Sequence, residues 1–165
     1  SYGDLQKQGD DPHTVLSGYY DLFSELRKSN FSFVAHNGYG FDVPMLNAHF
    51  ETWLSKSWQL GPNELWDTGV LEKASQAGLY PHHDDSMRSF SARIHARRLR
   101  GIFWSLDKYV VPKYNLAAKY NLNVTEMHDA STDAYVTHLF FKELKSMAGC
   151  FDEAAPGAVL MPDAR

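Results

Sequence analysis

The stretch from Phe33 to Leu46, FVAHNGYGFDVPML, constrains this chain more than any other. Phe31, Phe33, Val34 and Ala35 form a short apolar run of the kind shown by a strand buried on both faces. Gly38 and Gly40 then permit a tight turn with close backbone approach, and Pro44 suits the first turn of a following helix, where its missing N–H costs nothing. Asp42 stands between them. An acid at the end of a buried strand, beside glycines and a helix start, is rigidly mounted, which suits a ligand or a catalytic group. Capping of the helix by the same carboxylate is the plainer alternative.

A second stretch lies near the other end. HDASTDAYVT, His128 to Thr137, opens a helix whose Ala130, Ala134, Phe141 and Leu144, with Thr137 between them, step by four and three. Its polar head carries His128 and Asp133. Together the two stretches resemble the second and third motifs of the DEDDh 3′-to-5′ exonucleases, the DnaQ-like branch of the ribonuclease H-like superfamily. That pattern is H-N, a short gap, aromatic-Asp, and later H-x-A-x-x-D. The matching residues are His36, Asn37, Phe41 and Asp42, then His128, Ala130 and Asp133. The longer spacing, HNG-x-x-aromatic-D-x-P-x-L, looks like the three-prime repair exonuclease subgroup.

The resemblance implies an α/β, ribonuclease H-like fold and a hydrolase acting on single-stranded nucleic-acid 3′ ends. Phosphodiester hydrolysis needs an activated water, neutralised phosphate charge and a stabilised leaving oxygen, and two divalent ions about 3.5 to 4 Å apart supply all three. Magnesium or manganese would fill that role, with Asp42 and Asp133 as metal ligands. His128 would be the general base, a task suited to an unperturbed pKa of about 6.5. His36 and Asn37 would shape the turn and contact substrate.

The family's first motif, D-x-E on the first strand, occurs nowhere in this sequence. The resemblance therefore implies that residues 1–150 are the C-terminal portion of one exonuclease domain whose N-terminal strands are missing, followed by a loosely ordered tail over 151–165. An upstream segment of the same polypeptide, or another chain, would complete the site. Two rivals stand beside this reading: a catalytically inactive nucleic-acid-binding or interaction module of the same fold, and a fragment whose motifs are relics.

Composition bears on the partner. The net charge of −4 argues against a polyanion only if charge is evenly spread. It is not. Residues 88 to 119 hold Arg88, Arg93, Arg97, Arg98, Arg100, Lys108, Lys113 and Lys119 against the single acid Asp107, leaving 8 of 16 basic and 19 of 20 acidic residues elsewhere. Such a basic stretch in an acidic protein suits contact with a polyanion, and Arg93, Arg97 and Arg100 are its candidate phosphate contacts. The bland alternative is a solvated helix face. One cysteine, Cys150, excludes an intramolecular disulfide framework and favours a reducing, intracellular setting, nucleus or cytoplasm. No apolar run approaches the roughly 18 residues of a membrane span.

Along the chain, Val15, Leu16, Tyr19, Leu22, Phe23 and Leu26 predict a helix after an Asp11-Pro12 start signal. A strand over Phe31 to Ala35 precedes the Asp42 turn, and a helix from about Pro44 to Trp58 is expected to bury Met45, Leu46, Trp53 and Leu54. ELWDTGVL, Glu64 to Leu71, reads as a second strand entering a turn or helix. Its Asp67 either edges the site or bonds local backbone. Residues 78 to 90 read as a loop, and the adjacent His82, His83, Asp84 and Asp85 lack the spacing usual for a metal site. Ser91 to Arg100 reads as a basic helix, and Pro112 to Tyr120 ends in a short one. With only two strands legible, an unpaired sheet edge and self-association are expected.

Overall fold

The computed structural model describes residues 9–29, 31–82, 84–97, 105–123 and 129–148. The elements run α1 (Pro12–Lys28), β1 (Phe33–Ala35), α2 (Asp42–Leu54), β2 (Leu65–Asp67), α3 (Thr68–Gln76) and α4 (Met87–Ala96). A π-helical turn (Leu106–Val110), α5 (Val111–Lys113), α6 (Leu116–Tyr120) and α7 (Ala130–Ala148) follow. The fold is thus mixed α/β, mostly helical, around a two-stranded parallel sheet. β1 and β2 pair with Phe33 opposite Leu65 and Ala35 opposite Asp67, and α2 makes the crossover between them.

Local chemistry accounts for most of these boundaries. Asp11 accepts from the Thr14 N–H at 2.9 Å, and Pro12 takes the first helical position of α1. Ser86 and Ser89 form a reciprocal capping box that starts α4 at Met87. The helix expected from Ser91 therefore begins four residues earlier, inside what reads as loop. Its inward stripe is Met87, Phe90 and Ile94, packed against Val70 and Ala74 of α3. The far end of the expected helix, Arg98 to Arg100, lies outside the described residues.

A second cluster fills the space between α1, α2 and one face of the sheet. Phe50, Trp58, Leu60 and Leu65 are buried there, with Tyr20, Phe23 and Phe33 against them. Edge-on ring pairs, Phe23–Phe33 at 5.5 Å and Phe33–Trp58 at 5.8 Å, join helix to strand. The inward face of α2 is Val43, Leu46, Phe50 and Leu54. Met45 and Trp53, expected inside, remain 40% and 48% exposed, because they follow the His49 stripe on the opposite side. The third cluster packs Val110, Val111 and Leu116 onto Val136, Phe140 and Leu144 of α7.

β1 departs from the expectation of a strand buried on both faces. It is three residues long, Phe31 lies outside it at 60% exposure, and Val34 is 37% exposed. Among the described residues β1 has β2 as its one strand neighbour, and the face that Val34 presents borders a cleft shared with α7.

Candidate active site

Both strands run parallel, so the segments that leave their C-terminal ends lie side by side, the usual place for a site in such sheets. Asp67 organises that edge. It is fully buried, and its Oδ1 accepts from the N–H groups of Asn37 at 2.9 Å, Gly69 at 3.0 Å and Val70 at 3.3 Å, while Oδ2 accepts from Tyr39 at 3.2 Å. Four backbone donors compensate the buried charge. One carboxylate thereby caps α3 and pins the H-N-G-Y turn to it. Of the two roles open for Asp67 in the sequence, this is the backbone one.

The turn needs the residues it has. Asn37 takes a left-handed backbone, φ 63°, which asparagine tolerates better than most residues. A Cβ on Gly38 would lie 2.6 Å from the Ala35 Cβ, so only glycine fits under the strand end. His36 points Nδ1 at the Thr68 hydroxyl, 2.9 Å away, and that hydroxyl donates its one proton to the Ala35 carbonyl at 3.2 Å. Nδ1 must then carry the imidazole proton, an assignment made from the network.

Asp42 is the first residue of α2. The cap position belongs to Phe41, which makes no side-chain cap bond, so the capping alternative for Asp42 does not hold. Its carboxyl sits in the favourable first turn but is held above the usual carboxylate range, chiefly by burial, with the Asp67 charge adding and His36 opposing.

Asp42 faces a cleft of about 640 Å³. One wall is Val34, Ala35, His36, Phe41 and Asp42; a second is Ser105, Leu106 and Asp107; the third is Ala130, Asp133, Ala134 and Thr137 of α7. The structure thus brings Asp42, Asp133 and His36 to one cavity from distant parts of the chain. Asn37 lies beside it, its backbone committed to Asp67. Arg93 and Arg97 belong to α4 and its C-terminal cap and are not among the lining residues. The Arg93 guanidinium bonds the Asp85 carboxylate and the Tyr80 carbonyl. His128 and Arg100 lie outside the described residues.

Sequence reasoning missed the second wall. Ser105 accepts from the Lys108 N–H, donates to the Asp107 carboxylate, and offers its carbonyl to the N–H groups of both Tyr109 and Val110, each at 3.2 Å. That shared carbonyl produces the π-turn, a feature frequent at functional sites. The available signal was slight: Asp107 is the single acid of the basic stretch, two residues after a serine able to cap.

Carboxylates are hard oxygen donors, and magnesium is often held by one or two of them together with water and substrate phosphate. Asp42 and Asp133 fit that partial donor set. Among the described residues no group of three or more His, Cys, Asp or Glu is arranged to hold an ion, so these residues alone do not form a closed protein cage. Also among them, no helix is long and apolar enough to cross a membrane. No protein-family model and no curated protein sequence matches the chain.

Proposed function

We propose that this chain contributes the second and third motifs of a DEDDh-type, ribonuclease H-like 3′-to-5′ exonuclease that hydrolyses single-stranded nucleic acid. The observation that carries the reading is the convergence of Asp42 and Asp133, the two motif carboxylates, on one cleft. Two magnesium or manganese ions, when bound, would neutralise phosphate charge and make water acidic enough to attack. Asp42 and Asp133 would hold them in part. His128 would accept the proton of the attacking water, and the leaving 3′ oxygen would depart away from it. His36, held by Thr68, keeps the Asp42 turn in place. Phe41, 59% exposed at the cleft, offers a ring on which a terminal base can stack.

The remaining carboxylates would come from a D-x-E strand pairing on the open edge of β1. Val34 and Ala35 of that strand line the cleft, so an added neighbour would stand beside Asp42. The strand would come from the same polypeptide or another chain, and the assembly would work in the nucleus or cytoplasm. A second reading is a nucleic-acid-binding module of the same fold without chemistry, which the absence of D-x-E from the complete gene product would favour.

The test is hydrolysis of a 5′-labelled single-stranded oligonucleotide by the natural gene product that contains this chain. Release of 3′ nucleotides with magnesium or manganese, lost in Asp42→Ala and Asp133→Ala, is the expected result. Binding without metal-dependent cleavage would favour the second reading, and neither binding nor cleavage would sink both.

A further inference from the structure

Thr68, Glu72 and Gln76 follow one another at four-residue spacing and so form a single polar stripe along α3, buried at Thr68 and Glu72 and exposed at Gln76. Thr68 bonds His36 and the end of β1. Glu72, 2% exposed, bonds the Lys113 ammonium through Oε1 and the Tyr114 hydroxyl through Oε2. Gln76 Nε2 reaches both Glu72 and the Tyr109 hydroxyl at 2.5 Å. Tyr114 also packs on Phe140 of α7, rings 5.0 Å apart, and His36 packs on that same Phe140 at 5.9 Å. One stripe and one ring thus touch the elements that carry all three cleft walls.

Glu72 is buried while the Lys113 side chain is about one-third exposed, and a buried acid is a poor choice for stability alone, since a well-packed apolar residue of similar volume often does as well or better. What such a pair supplies is a fixed register between two elements. Burial and then Glu72 push the Tyr114 hydroxyl far above the ordinary range, so it remains a donor, and Lys113 is held charged by Glu72 against the effect of burial.

From this arrangement we infer that Glu72 is a positioning residue: it fixes the π-turn against α3 and thereby sets Ser105 and Asp107 in the cleft opposite Asp42. The inference rests on reading that cleft as the functional site, but its test does not depend on catalysis.

Hydrogen exchange followed by mass spectrometry on wild type and Glu72→Gln separates positioning from general stability. The glutamine conserves volume but removes the charge that pairs with Lys113 and leaves one acceptor oxygen where the carboxylate had two, so exchange across 105–113 should accelerate at least tenfold while peptides across 42–54 and 130–144 keep their rates. Acceleration everywhere would mean that Glu72 merely stabilises the fold, and unchanged rates would mean that it holds nothing; either overturns the inference. Should Glu72→Gln fail to fold, Tyr114→Phe removes one bond to Glu72 and keeps the ring, and a selective gain of at least threefold over 105–113 is then required. Selective gain in a protein that cleaves no oligonucleotide would leave positioning intact and discard the exonuclease reading. Cleavage with unmoved exchange would do the reverse.

Discussion

Asp42 keeps a charge in surroundings that work against it. Because its carboxyl is raised in the fold, the native state holds that proton more tightly than the unfolded chain. Its favourable contribution is complete below the unfolded value of 3.8 and is lost as pH climbs through the raised native value. Asp42→Asn should therefore melt higher than wild type at pH 7, with the gap closing on acidification below 3.8; a thermal melt at each pH reads it. Cation affinity of the cleft should rise over that same window and vanish in the asparagine variant. Such a trade of stability for charge is common at functional sites. His128→Ala is expected to cost about 10²- to 10⁴-fold in single-turnover rate with little change in substrate affinity, as removal of a base would. Unchanged rate with weakened affinity would make His128 a contact. Phe41→Ala should weaken single-strand binding by about 1–3 kcal/mol if one base stacks there, measured by fluorescence anisotropy. At this scale the sequence was informative: glycines, an aromatic and two acids placed the turn and the cleft. Asp67 could not be assigned from sequence, since its four donors come from two segments that only folding brings together.

Helices were legible where their own sequence decides them and less so where neighbours do. α1 follows from cap and period, whereas the stretch read as a strand from Glu64 to Leu71 divides into a strand of three residues, Leu65–Asp67, and the start of α3 at Thr68, whose cap is Asp67. The inward face of α7 reads from the sequence as Ala130, Ala134, Phe141 and Leu144 with Thr137 between them, yet the buried set is Val136, Thr137, Leu139, Phe140 and Leu144, with Ala130 and Ala134 on the cleft wall. A helix apolar on more than one side serves both the core and the site, and periodicity alone does not divide the duties. The π-turn escaped notice for a related reason: one carbonyl taking two N–H donors leaves no residue signature. A pH-dependent tie joins α6 to α7. Glu143 accepts from Lys119 at 2.6 and 2.7 Å and from the Tyr120 hydroxyl at 2.6 Å, which lowers its carboxyl below 4.5. The stabilisation is present above 4.5 and is lost as pH falls through the depressed value, so Glu143→Gln should destabilise at pH 7 and match wild type in strong acid. A variant equally stable at both pH values would show that the contact is an idle surface pair.

For the molecule as a whole, the exposed apolar surface matters more than the core. The uncovered stripe on α1 is Val15, Tyr19 and Leu22, at 36%, 49% and 48% exposure, beside the Leu16, Tyr20 and Phe23 stripe that does pack. α1 consequently has no fully buried residue. Phe31, 60% exposed, follows the end of α1, its N–H on the Leu26 carbonyl, and each strand of the sheet has a single neighbour among the described residues. Two paired strands of three residues are below the size at which a sheet usually stands alone, and an unpaired edge next to apolar surface invites another chain. Residues 1–165 by themselves should therefore associate at tens of micromolar or melt over a broad range. Light scattering after size exclusion, together with calorimetry, measures both. Substitution of Tyr19 and Leu22 by lysine on the exposed stripe should reduce association without lowering helix content, because neither belongs to the buried clusters. A monomer at high concentration with one sharp transition would show that the small sheet and its helices are sufficient, and would remove the argument for a strand added at β1.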